Sequence, residues 1–178
     1  MSLPIEISTQ LREWAELAGY TLTPGSSTED GRAVFWSDGG EIRHFIGIGY
    51  TDWFVVTDSD RLGSEYLDLA APSMATIETY FFGKFGRFIR SRKQLPRVHM
   101  PVTHEEISAG FVTRAKIFDG VERLALIASD GLEVAVSSGD QFSGTAELAK
   151  LSLYLTANVD DIKSSYLNPS GKPLFTLQ

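Results

Sequence analysis

Cysteine is absent from the 178 residues. That excludes disulfides and thiolate zinc sites, and it leaves a reducing cytosol as a compatible setting. No apolar run approaches the ~20 residues that a membrane-spanning helix requires. The opening MSLPIEISTQ lacks the basic region and apolar stretch of a secretory signal. Positive charge is also in short supply. Lys and Arg number 16 against 23 Asp and Glu, a net −7. This argues against a general nucleic-acid binder and suits either a basic protein partner or plain solubility.

Catalytic signatures are missing as well. There is no Cys nucleophile and no G-x-S-x-G elbow, and the serines fall in turns. The glycines of GIGY have the wrong spacing for a dinucleotide loop and are followed by a strand. Of three histidines, His99 and His104 stand five apart with Pro101 between them and no third ligand, so no metal is expected. His44 alternates with Ile42 and Ile46 and reads as a core histidine rather than a base. Asp58 with Asp60, and Asp160 with Asp161, read as solvated loop acids rather than paired catalytic carboxylates.

What is present is a folded chain sized for a single domain over 1–178. Its longest periodic stretch is Ser73 to Arg92. There Met74, Ile77, Phe81, Phe85 and Phe88 form one helical stripe, and Thr76, Thr79, Gly83, Arg87 and Arg90 lie opposite. Ser73 is its N-cap, and Pro96 forces the chain out of helix. Gly83 and Gly86 each cost roughly 1 kcal/mol against Ala. They mark close approach of another backbone, a kink, or a division in two. The run Lys84, Arg87, Arg90, Arg92, Lys93 and Arg97 reads as a solvated face complementing the helix dipole, or as a partner for nearby acids.

Around this helix the sequence alternates short β-prone runs with Gly, Asp and Ser turns: 32–37, 41–48, 53–58 and 65–70 before it, 111–118, 122–128 and 132–137 after it. Ser8 to Ala18 and 159–167 read as short helices, with Ser8 and Asn158 as caps. Thr145 to Leu155 has helical periodicity, although LSLYL also suits a strand. Leu174 and Phe175 read as a docked anchor. The expected fold class is α+β: antiparallel β meanders packed around a central amphipathic helix, with short N- and C-terminal helices. In a meander alternate turns share an end, so Asp38, Asp58, Asp60, Arg61 and Glu65 are expected near one another.

Several segments together resemble a known family: LREWAELAGYTLT, GRAVFW, GGEIRHFIGIG, SDRLGSEYL, TIETYFFGKFGRFIR, DGLEVAVSSGD and NPSGKPLF. In this order, from about Leu11 to Phe175, they are similar to the actinobacterial immunity proteins that include the antitoxin of tuberculosis necrotizing toxin. The resemblance implies a cytoplasmic antitoxin, not an enzyme and without a cofactor, that binds a toxin domain 1:1 and blocks its active site. In the best-known case that toxin degrades NAD. It implies no nucleic acid and no membrane as partner. The resemblance assigns no contact residues. From the meander turns, the expected toxin-binding residues are Asp38, Asp58, Asp60 and Arg61, with Tyr50 or Trp53 as an aromatic anchor. A different reading is a small-molecule-binding or enzymatic α+β domain with its site between sheet and helix.

Overall fold

The computed structural model describes residues 3–49 and 51–178. Among them are four α-helices and ten strands. After helix α1 (Thr9–Leu17) come β1 (Thr21–Thr23), β2 (Ala33–Ser37), β3 (Ile42–Ile48), β4 (Phe54–Asp60) and β5 (Tyr66–Ala71). Helix α2 (Met74–Arg92) leads to β6 (Val98–His99) and then to β7 (Phe111–Phe118), β8 (Val121–Ala128) and β9 (Glu133–Ser137). Helices α3 (Gln141–Leu155) and α4 (Val159–Leu167) precede β10 (Thr176–Leu177). The fold is α+β.

The two meanders form one eight-stranded sheet in the order β1-β2-β3-β4-β5-β9-β8-β7. They join through the antiparallel β5–β9 pair, where Ala70 faces Val136. Each meander therefore ends in a central strand and runs on into a helix, β5 into α2 and β9 into α3. The short β6–β10 pair ties down the C-terminal segment, and Phe175 is buried beside it.

Local chemistry starts the helices where the sequence indicates. The hydroxyls of Ser8 and Ser73 and the side chain of Asn158 accept from backbone N–H groups of the first turn. The 145–155 segment is helix, extended back to Gln141 and capped by Asp140. Glu78 of α2 accepts from both the N–H and the hydroxyl of Ser8, joining α2 to the start of α1.

The structure corrects the expected two-faced α2. Ile77, Phe81 and Phe85 are buried as expected, but so are Tyr80, Phe82, Gly83, Lys84, Gly86, Ile89 and Arg90. Phe88, expected in the stripe, is partly exposed. The sheet covers one side of α2, and α1, α3 and α4 cover much of the rest, so the helix is buried nearly all round. The glycines mark close approach, though to rings rather than to a backbone. A Cβ on Gly83 would lie 2.0 Å from the Tyr154 ring, and one on Gly86 would lie 2.2 Å from the Tyr166 ring. Tyr154 and Tyr166 join by their hydroxyls.

The cationic run divides: Arg92, Lys93 and Arg97 are exposed, as a solvated face requires, whereas Lys84 and Arg90 are buried. Lys84 meets two carboxylates, and Arg90 donates to five main-chain carbonyls of Pro96, Ser165, Tyr166, Asn168 and Pro169. The space between sheet and α2, where the small-molecule reading put a site, is packed with the rings of Tyr20, Phe35, Phe81 and Phe85.

The opposite sheet face holds a second apolar cluster drawn from strand residues, including Ala70, Phe118, Ala125, Ile127 and Val136. Trp53, just before β4, packs against Phe118 at the end of β7, the rings tilted at 43° with centroids 5.5 Å apart. In a flat sheet four strand spacings, about 19 Å, would separate β4 from β7. The sheet is therefore strongly curled toward its helix-free side.

Candidate functional site

The turn after β2 and the turn after β4 lie at the same end of the sheet, as the meander requires. Ile42 pairs with Asp60. The Arg61 N–H donates to the Glu41 carbonyl at 2.7 Å, and Arg61 Nε donates to Glu41 Oε1 at 3.2 Å. The hairpin closes through Gly63 N–H to the Asp60 carbonyl at 2.8 Å, and the Ser59 hydroxyl donates to the Gly63 carbonyl.

The two residues between, Arg61 and Leu62, both have positive φ, 49° and 61°. A hairpin loop of this kind favours Asn and Gly, because a Cβ in the left-handed region costs roughly 1–2 kcal/mol per residue. Here it carries Arg and Leu, and Leu62 is 78% exposed. Tyr66 and Ile42 are also exposed beside it, with the acids Glu41 and Asp60 at the rim. Backbone held at positive φ together with a large apolar side chain in solvent makes this tip a candidate contact surface.

The expected contact residues do not all gather here. Asp60 and Arg61 are at the tip, and the backbone of Asp38 is in the neighbouring turn. Tyr50 lies outside the described residues. Trp53 sits at the other end of β4, seven residues and about 23 Å away, with the Lys116 ammonium 5.3 Å from its ring. Glu65 turns to the helix-free face, where it accepts from Arg32 and Thr57.

Asp58 is not a loop acid. Strand β4 continues through Asp60, and alternation turns the Asp58 side chain inward, where it is buried. One oxygen meets His44 Nδ1 at 2.6 Å and the other accepts from Lys84 Nζ at 2.9 Å. Lys84 also donates to Asp68 at 2.7 Å, and the Tyr80 hydroxyl donates to the same Asp68 oxygen. Burial depresses the His44 pKa despite the Asp58 hydrogen bond that opposes it. The neutral ring thus keeps its proton on Nδ1 and donates to the carboxylate. Burial would raise the Asp58 pKa, but the His44 hydrogen bond and the Lys84 charge outweigh it and leave it below the usual carboxylate range. Two carboxylates likewise outweigh the burial of Lys84 and raise its pKa.

A His–Asp pair at this distance has the geometry of a general-base dyad. Its free nitrogen, His44 Nε2, is however buried without a hydrogen-bond partner among the described residues, amid the rings of Tyr20, Phe81 and Phe85. Enclosed in this way, the network ties β3, β4 and α2 together beneath the tip. His99 and His104 do not converge on a metal geometry: His99 pairs with Glu106 and His104 with Thr113. Among the described residues no group of His, Cys, Asp and Glu is placed to hold an ion.

Comparison with known proteins places the chain in a family. Residues 14–174 match the family model described as Immunity protein 61. The chain belongs to that family. It is 40% identical over 177 residues to the immunity factor for TNT of Mycobacterium tuberculosis, covering 99% of this chain and 97% of the relative. The same figures hold for the immunity factor for TNT homolog of Mycobacterium bovis. The solved structure of Rv3902c from M. tuberculosis superposes with a TM-score of 0.90, 40% identity and 99% and 98% of the two chains covered. The immunity protein thus carries the family fold over its whole matched length.

The residues expected from the sequence include Asp60 and Arg61 of this hairpin but not the exposed Leu62 between Arg61 and Gly63. The signal available was a bulky apolar residue just before Gly63 in SDRLGS, where a turn residue is expected.

Proposed function

We propose that this immunity protein neutralises an NAD-degrading toxin related to the TNT of its relatives, binding 1:1 and blocking the toxin's active site without catalysis or cofactor. The observation that carries the mode of binding is the strained tip, with exposed Leu62 and Tyr66 set among Glu41 and Asp60. A pocket that binds a dinucleotide must present donors to its phosphates, from main-chain N–H groups or cationic side chains. An acidic, apolar-tipped hairpin complements it in charge and shape. Asp60, Arg61 and the Asp38 turn form the contact, and Asp58 acts from beneath by fixing the strand. The compartment follows from the target: an inhibitor of NAD destruction works in the cytoplasm.

Mixing the protein with the TNT domain and following NAD hydrolysis tests the reading. Inhibition should be complete at one equivalent, and unchanged hydrolysis at a tenfold excess would refute it for that toxin. Leu62→Gly then tests the tip. Glycine tolerates the positive φ, so folding stability should stay within about 1 kcal/mol of the parent. Loss of a central apolar anchor should weaken toxin binding by about 30-fold. Full affinity in that variant would move the contact elsewhere.

A further inference from the structure

A cavity of about 630 Å³ opens where the C-terminal end of α2 meets the 94–102 segment, α3 and α4. That is the size of a small-molecule site. Its charge is opposite to that of the chain. Four of the sixteen Lys and Arg residues line it, namely Arg87, Arg90, Arg97 and Lys150, and none of the 23 Asp and Glu residues does so among the described residues.

These charges are incompletely neutralised. Lys150 is buried and bonds Glu147 at 2.7 Å, and Arg87 bonds the same Glu147 at 3.4 Å, so two cations share one carboxylate. The complementary excess, two carboxylates on one ammonium, lies at Lys84 and not in the cavity wall. Arg90 is buried, and its contacts are five carbonyl oxygens rather than an acid. The exposed side chain of Arg97 meets no carboxylate among the described residues. Between these cations Leu95, Val98, Met100 and the ring of Tyr166 supply apolar surface, alongside the polar Ser91, Gln94, His99 and Gln178.

We propose that this cavity binds a small amphipathic anion, a carboxylate or phosphate ester carried on an aromatic or aliphatic body. The acid group meets Lys150 and Arg97, and the body lies against Val98, Met100 and Tyr166. The proposal does not rest on the toxin reading.

Calorimetric titration of the full chain with phenyl phosphate, benzyl alcohol and inorganic phosphate tests it. Phenyl phosphate should bind saturably at 1:1 and at least about tenfold tighter than either comparator, since each lacks one half of the recognition. Arg97→Gln, a surface change, should weaken phenyl phosphate about tenfold, and Lys150→Met should do so further. Absence of saturable binding overturns the proposal. So does equal affinity for benzyl alcohol or for inorganic phosphate, or undiminished binding in Arg97→Gln.

Discussion

Lys84 holds together the buried charges of the core. It sits on α2 facing β4 and β5, and its ammonium pairs with Asp58 and Asp68 at once. Replacing it by Met leaves two carboxylates buried without a cation. Loss of one partner of a buried pair costs about 3–5 kcal/mol, so chemical denaturation of Lys84→Met should show a loss of that order. A loss below about 1 kcal/mol would mean that Asp58 and Asp68 find other partners.

His44 adds a pH dependence of determined sign. Its folded pKa lies below its unfolded value, so the unfolded chain takes up the proton first as pH falls. The stability held by the neutral ring is complete above about pH 6.5. It declines as the pH drops below that value, by at most about 1.4 kcal/mol per pH unit for one site. Asp58, also depressed, adds a further loss in more acidic solution, below about pH 4. Urea midpoints between pH 7.5 and 5.5 should therefore fall for the parent and fall less for His44→Gln, which keeps a donor to Asp58 but cannot titrate. Equal slopes in the two proteins would remove His44 as the cause.

At the scale of elements, α2 is held by what its glycines admit. The Tyr154 and Tyr166 rings seat directly on Gly83 and Gly86, so that α3 and α4 approach the helix axis closely. Gly83→Ala gains about 1 kcal/mol in helix propensity, yet its methyl collides with a buried ring that cannot swing away. Overpacking of this kind costs about 1–3 kcal/mol or more, so the variant should melt below the parent despite its better intrinsic propensity. An unchanged or higher melting temperature would show that the ring relaxes. Gly83 and Gly86 were legible in the sequence as an anomaly, because two glycines inside a long helix contradict propensity. Their partners were not, since Tyr154 and Tyr166 lie 71 and 80 positions further along the chain.

For the whole molecule, the net charge of −7 and the acidic tip act together. A rim charge governs approach more than residence. Asp60→Lys, on the exposed rim, should slow association with the toxin and flatten its dependence on salt, with little change in dissociation. Stopped-flow mixing at two ionic strengths measures both. An unaltered association rate would exclude Asp60 from the steering surface. Asp58 is unsuited to the same experiment, because reversing its charge would place two cations together in the core and report on folding instead.

Helix caps, turn positions, antiparallel meanders and the family were all legible along the chain, because these depend on neighbours within a few residues or on the order of whole segments. Ser73 as a cap and the shared end of the Asp38 and Arg61 turns follow from that local logic. Which charges are buried and paired, and which stay exposed, depended on packing between distant segments. Asp58 and Asp60 are two residues apart and alike in sequence. One meets Lys84, 26 positions away, and is buried, and the other is left at the exposed tip. The same holds for the cationic run after Gly83: Lys84 became a core partner, Arg87, Arg90 and Arg97 a cavity wall, and Arg92 and Lys93 stayed in solvent. Burial is set by the packing of distant segments, and it is burial that turns an ordinary carboxylate or guanidinium into either a brace or a site.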